Sequence, residues 1–94
     1  MASSESADFS KFGKAFQEGL AQLIMEQRAF ADQIQEVLSI DFFELKYLQA
    51  FTRKIFEFKK KYDVHPSKDA MLSVLRAELD DENPATQKQT RDFF

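Results

Sequence analysis

The feature that most constrains this chain is a long stripe of apolar residues at helical spacing in its second half. These residues recur at steps of three and four, as one face of an α-helix does: Leu45, Leu48, Phe51, Ile55, Phe58 and Tyr62. The stripe predicts a helix over about residues 42–62, the longest in the chain and its expected packing centre. Asp41 is the predicted N-cap, because its carboxylate can accept hydrogen bonds from the first backbone N–H groups. Pro66 cannot continue the helix.

The same periodicity and several start signals predict four further helices, over about residues 9–27, 29–38, 68–79 and 84–94. Ser67 and Asn83 are the predicted N-caps of the last two helices, and Pro84 fits a first helical position. In the first helix, one apolar face is predicted from Phe12, Phe16, Leu20, Leu23 and Ile24. Gly13 predicts a break and Gly19 predicts the close approach of another element. No segment shows the alternation of apolar and polar residues that is typical of a β-strand. We therefore expect an all-α, compact bundle of four to five helices.

The chain divides into three parts by composition. Residues 1–8 are small and polar and predict a flexible leader. Residues 9–83 hold the apolar stripes and predict the helical globular domain. Residues 84–94 predict the start of a fifth helix with almost no apolar face before Phe93 and Phe94, which suggests a truncated helix.

The composition excludes several classes of protein. Eleven Phe and two Tyr are too much apolar surface for a disordered chain. There is no Cys, so a disulfide scaffold is excluded. The unbroken apolar runs are far shorter than the roughly 20 residues of a membrane span, and no signal peptide is visible at the N-terminus. We therefore expect a cytoplasmic protein.

The sequence has few residues that could form a catalytic, cofactor-binding or metal site. Two Gly are too few for a glycine-rich phosphate loop, and one His without Cys gives no zinc ligand set. His65, which precedes Pro66, is interpreted as a solvated turn residue, and Asp80 and Asp81 as solvated loop charges. We expect no catalytic, cofactor-binding or metal site, and hence no enzymatic activity, in this chain.

The remaining candidates for function are surfaces that could bind a partner. The net charge of −3 argues against nucleic acid as the main partner, but a local basic patch is predicted from six residues: Lys46, Arg53, Lys54, Lys59, Lys60 and Lys61. A structural role at a helix C-terminus is the alternative for Lys59–Lys61, since cations suit that end of the helix dipole. Phe9, Phe93 and Phe94 lie at the edges of the apolar pattern and are the predicted partner surface.

An ordered set of segments resembles the N-terminal domain of DnaB-type replicative DNA helicases, especially phage versions. The resemblance covers about residues 16–79 and has four parts: Leu20-x-x-Leu23-Ile24-Met25-Glu26 with Phe30; Val37-Leu38-x-x-Asp41-Phe42-Phe43; Leu48-x-x-Phe51-x-x-x-Ile55; and Tyr62-x-x-x-Pro66-Ser67 with Met71-Leu72-x-x-Leu75. It rests on spacing and residue class.

The resemblance implies a non-catalytic collar domain ahead of an ATP-dependent helicase motor. Its partners would be other helicase subunits, primase or a helicase loader, in DNA replication. Two alternatives stay open from the residues themselves. One is a small helical nucleic-acid-binding domain that uses the basic patch, and the other is a stand-alone protein–protein adaptor.

Overall fold

A computed structural model describes residues 10–94, and in that range the chain forms helices and no strand. The five α-helices are α1 (Gly13–Glu26), α2 (Arg28–Ile34), α3 (Lys46–Tyr62), α4 (Lys68–Ala77) and α5 (Pro84–Phe93). Short 3-10 turns lie at Ser10–Phe12 and Ile40–Phe42. The predicted all-α bundle is confirmed.

Helix α3 is the centre of packing, as its apolar stripe predicts. It packs against α1 and α5, while α2 packs on α1 and α4 packs on α5. Side chains from every part of this arrangement meet in one core, whose largest fully buried apolar members are Ile24, Phe43, Leu48, Phe51, Ile55, Met71, Leu75 and Leu79. Burying apolar surface of this kind is the main force that holds such a domain together.

Helix α3 begins four residues later than predicted, and Asp41 is not its N-cap. Asp41 lies in the 3-10 turn, where its backbone N–H donates to the Ser39 hydroxyl at 3.3 Å. Phe43 follows in an extended conformation with its side chain fully buried. Because the chain must turn to place this ring in the core, the helix starts only at Lys46.

A side chain from α1 accepts hydrogen bonds from backbone N–H groups just before α3. The buried Gln17 Oε1 accepts hydrogen bonds from the backbone N–H of Glu44 at 2.9 Å and of Leu45 at 3.4 Å. Unpaired backbone donors at a helix start are costly in the interior. Gln17 therefore fixes the loop before α3 to α1, which a local capping rule cannot reveal.

The other helix ends follow the sequence signals. The Ala70 N–H donates to Ser67 Oγ at 3.1 Å, and the Thr86 N–H donates to Asn83 Oδ1 at 2.8 Å. Gly13 has a φ of +83° at the junction between the 3-10 turn and α1, as its predicted break requires. The expectation for Gly19 is wrong, since a Cβ placed there meets nothing within 4 Å.

Helix α5 belongs to the bundle, although we expected the globular domain to end at residue 83. Its core side is made by Thr86 and Thr90, which are buried, and by the two final phenylalanines. The Thr90 hydroxyl donates to the Thr86 carbonyl at 2.7 Å, so its polar group is satisfied within the helix. Two threonines thus replace the apolar face that the sequence lacks.

Candidate interaction surfaces

The six residues of the predicted basic patch do not form one free cationic surface. Lys46, Lys60 and Lys61 are exposed, whereas Lys54 and Lys59 are buried. Lys54 Nζ lies 3.4 Å from a Glu57 carboxylate oxygen and 3.7 Å from one of Asp81.

Two further ion pairs involve Arg53 and Lys59. Arg53 pairs with Glu82, and Lys59 pairs with Asp32 of α2. The hydrogen bond from Lys59 holds the pKa of the Asp32 carboxyl below its ordinary value. Arg53, Lys54 and Lys59 therefore act inside the domain and fasten the acidic loop and α2 to α3. Asp80 and Asp81 are exposed, as expected of loop charges, and Asp81 also faces Lys54.

Phe93 and Phe94 are half-buried and pack against the centre of α3. The Phe93 ring lies edge-on to Phe51, with centroids 5.0 Å apart, and the Phe94 ring lies 5.7 Å from Phe51. Much of the predicted aromatic partner surface is thus used to close the core. Phe9, the third predicted member, lies outside the described residues.

A groove of about 410 Å³ lies beside these two rings. Its lining includes Met25, Phe51, Pro66 and the two C-terminal phenylalanines. The groove is continuous with the core through Phe51, so a change in that ring alters both.

His65 is not the solvated turn residue that the sequence suggested. It is half-buried, and its Nε2 lies 2.7 Å from the carbonyl oxygen of Met25, to which it donates. That carbonyl belongs to the last turn of α1, where no intrahelical donor follows. His65 therefore holds the end of α1 against the α3–α4 loop, a contact across 40 residues that leaves no local signal in the sequence.

A polar cleft of about 680 Å³ separates α2 from the end of α3. It is lined by charges of both signs, among them Arg28, Asp32, Glu36, Lys59 and Lys60. Across residues 10–94, no group of three or more His, Asp or Glu side chains is arranged to hold a metal ion. The chemistry of this cleft is that of the Lys59–Asp32 ion pair already described.

The pKa of Tyr47 is strongly raised in the folded domain. It is buried, and its hydroxyl donates to a Glu18 carboxylate oxygen at 2.6 Å. Burial, followed by the hydrogen bond to the Glu18 carboxylate, raises the pKa of Tyr47 well above its ordinary value. The bond ties α1 to the first turn of α3 and occupies Glu18.

Three large apolar side chains are exposed along the 3-10 turn at Ser10–Phe12 and the outer face of α1. Phe12 is 52% exposed, Phe16 44% and Leu23 40%. The Phe12 and Phe16 rings contact each other at a centroid distance of 4.9 Å. Gly19 lies between Phe16 and Leu23 at helical spacing. These four residues, Phe12, Phe16, Gly19 and Leu23, are called here the α1 outer stripe.

Of the apolar face predicted for the first helix, Ile24 is buried and Leu20 packs against the core, whereas Phe12, Phe16 and Leu23 are exposed. The residues of α1 that enter the core are Gln17, Ala21 and Ile24. Apolar residues are usually buried, so periodicity does not select a face that contains Gln17. The burial of Gln17 is explained by its distant backbone partners, the N–H groups of Glu44 and Leu45.

Comparisons with protein-family models, with curated proteins and with solved structures find no significant match to this chain. Among the described residues, no helix is both long and apolar enough to cross a membrane.

Proposed function

We propose that this chain is a non-catalytic protein-interaction domain that works through the α1 outer stripe. The observation that carries the proposal is the exposure of Phe12, at the end of the 3-10 turn, and of Phe16 and Leu23 on α1. Most other large apolar residues in the described range are buried or half-buried. Exposed apolar clusters on small domains mark protein contacts more often than chance.

The assembly we propose for it is the N-terminal collar of a hexameric replicative DNA helicase. The resemblance to that family, carried by the order and spacing of its segments, supports this. Leu23-Ile24-Met25-Glu26 ends α1, Asp41-Phe42-Phe43 forms the turn before α3, and Tyr62-x-x-x-Pro66-Ser67 joins α3 to α4. The partners would be other helicase subunits, primase or a helicase loader, in the cytoplasm of a bacterium or a phage-infected cell.

Binding of nucleic acid through the basic patch is the weaker candidate. Neutralising about five phosphates would need the lysines and arginine of α3 to face one strand together. Arg53, Lys54 and Lys59 are instead engaged with carboxylates of the same chain. A stand-alone adaptor would use the same α1 outer stripe but without a motor.

Two experiments separate these functions. The complete reading frame decides between collar and adaptor: a P-loop ATPase motor encoded downstream of Phe94 supports the collar, and a stop codon directly after Phe94 contradicts it. A titration with labelled single-stranded and duplex DNA at low and moderate salt tests nucleic-acid binding. We expect no binding at low salt, and a salt-dependent affinity that Lys60→Glu lowers would contradict the proposal.

A further inference from the structure

Helices α1 and α5 both pack against α3, and a furrow lies between them. Two recesses open along it, and the Phe93 ring lines both. One is the groove of about 410 Å³ described above, and the other has a volume of about 270 Å³. From α3, Phe51 lines the larger recess and Tyr47 lines the smaller one, one helical turn away. The two recesses are therefore parts of one elongated surface, called here the α1–α5 furrow.

The larger recess of the furrow has an apolar lining that a partner side chain can reach. Phe51 and Pro66 are buried, while Met25, Phe93 and Phe94 are half-buried and keep part of their surface open. Methionine and aromatic side chains in such a position adapt to apolar groups of different shape. The volume of the recess lies within the range of about 300–1,000 Å³ that is usual for binding sites. The lining therefore favours the insertion of a large apolar side chain.

The rim of the furrow carries charges that the domain does not use. Lys14 lines the smaller recess, near the start of α1, and Glu26 lines the larger recess, at the end of α1. Lys68 of α4 also lines the larger recess. Within residues 10–94, none of these three side chains has an ion-pair partner. A partner that covers the furrow can therefore pair with them without breaking an ion pair of the domain.

The walls of the furrow favour a helix as its occupant. Both walls are α-helices, so they present no sheet edge with which an extended segment could pair. The Met25 carbonyl at the end of α1 already accepts a hydrogen bond from His65. An extended segment would lie here with few partners for its backbone, whereas a helix satisfies its backbone groups internally.

The positions of the two recesses along α1 set the spacing of the side chains that would fill them. The smaller recess is lined from α1 by Lys14 and Glu18. The larger recess is lined from α1 by Gln22, Met25 and Glu26. The centres of the two sets are about eight residues apart, or about 12 Å at the rise of an α-helix. Apolar side chains seven or eight positions apart on one face of a docked helix match this distance.

We infer that the α1–α5 furrow binds an amphipathic helix of another protein. That helix inserts two large apolar side chains, one on each side of the Phe93 ring, and carries an acidic residue near Lys14 and a basic residue near Glu26. An acid in the first turn and a base in the last turn suit the dipole of a helix, so the docked helix runs parallel to α1. Leu23 lines neither recess. The furrow is therefore a second contact, and it does not depend on the α1 outer stripe.

A synthetic helical peptide tests the inference against the 94-residue chain. The peptide has a glutamate in its first turn, two tryptophans seven positions apart and a lysine in its last turn. The chain itself has no tryptophan, so the fluorescence of the peptide reports binding alone. We expect its emission to shift to shorter wavelength on binding. Replacing either tryptophan with alanine should weaken the affinity more than about tenfold, because each is an anchor in its own recess.

Charge reversal on α1 tests the position and the direction of the peptide. Lys14→Glu and Glu26→Lys should each weaken its binding roughly 2- to 5-fold, and a peptide with its glutamate and lysine exchanged should prefer the double variant. Both substitutions suit the helix dipole at their end of α1, so the fold is retained. Lys60→Glu is the matched control, because Lys60 is exposed and lines neither recess. It should leave the affinity unchanged, as should Leu23→Glu.

Several results would overturn the inference. The first is no binding at peptide concentrations up to about 1 mM, and the second is an affinity that neither charge reversal changes. N-acetyltryptophanamide that binds as tightly as the peptide would show a pocket for a small aromatic molecule instead of a helix. Binding that is seen only after residues 1–9 are deleted would assign the furrow to the chain's own N-terminal segment. None of these results touches the α1 outer stripe, which Leu23→Glu tests separately in the product of the complete reading frame.

Discussion

Truncation of Phe51 to alanine tests the packing centre of the bundle. The Phe51 side chain is 1% exposed, and its ring meets both Phe93 and Phe94. Phe→Ala at such a site costs about 3–5 kcal/mol, which combines lost burial with the cavity that remains. The adjacent groove lets the two C-terminal rings relax toward the space, so we expect a value near the lower end of this range, about 3 kcal/mol.

That loss is large for a domain of this size, whose total stability is expected to be about 5–10 kcal/mol. It corresponds to a fall in melting temperature of roughly 12 °C or more. Urea unfolding followed by far-ultraviolet circular dichroism measures it. Phe16→Ala is the matched control, since the same atoms are removed from a ring that is 44% exposed, and it should cost less than about 1 kcal/mol. A Phe51→Ala cost below about 1 kcal/mol, or equal costs for the two variants, would refute the assignment of the core.

Three further predictions use the same unfolding assay. Gln17→Leu should lower the free energy of unfolding by roughly 1–3 kcal/mol, because it leaves the Glu44 and Leu45 N–H groups without their acceptor. An unchanged free energy of unfolding would mean that these N–H groups have another acceptor. Ser67→Ala should cost about 1 kcal/mol through the lost N-cap of α4, and an unchanged urea midpoint would contradict that role. The lowered pKa of Asp32 means that its ion pair with Lys59 stabilises the fold above the unfolded value of 3.8, and that this stabilisation is lost as the pH falls through the lower folded pKa. The difference between wild type and Asp32→Asn should therefore be present at neutral pH and shrink below about pH 3.8; a difference that is constant with pH would argue against the pair.

The sequence was sufficient for the features of the fold that depend on neighbouring residues. Periodicity placed α1 to α4, and the Asn83–Pro84 start signal placed α5. Ser67 and Asn83 marked the starts of α4 and α5 because an N-cap acts on its own helix. The start of α3 was missed because its donors are satisfied by Gln17, which is 27 residues away from Glu44.

The candidate site was harder to predict for the same reason. The face of α1 that enters the core is decided by the distant partners of Gln17, so the aromatic stripe was expected inside and lies outside. The basic patch was visible as six charges along the chain, but their carboxylate partners come from α2, from α3 itself and from the acidic loop after α4. Composition gives the number of charges, and only the packing of the helices shows which of them remain exposed.

The central claim is that this helical bundle acts by presenting the α1 outer stripe to another protein. Its most direct test is the mass, by sedimentation equilibrium, of the product of the complete reading frame with Leu23→Glu or with Val37→Glu. Both residues are exposed, at 40% and 75%, but only Leu23 belongs to the stripe. We predict that Leu23→Glu lowers the assembled mass and that Val37→Glu leaves it unchanged, with both proteins fully folded. Identical masses for the two variants and the wild type would contradict the account.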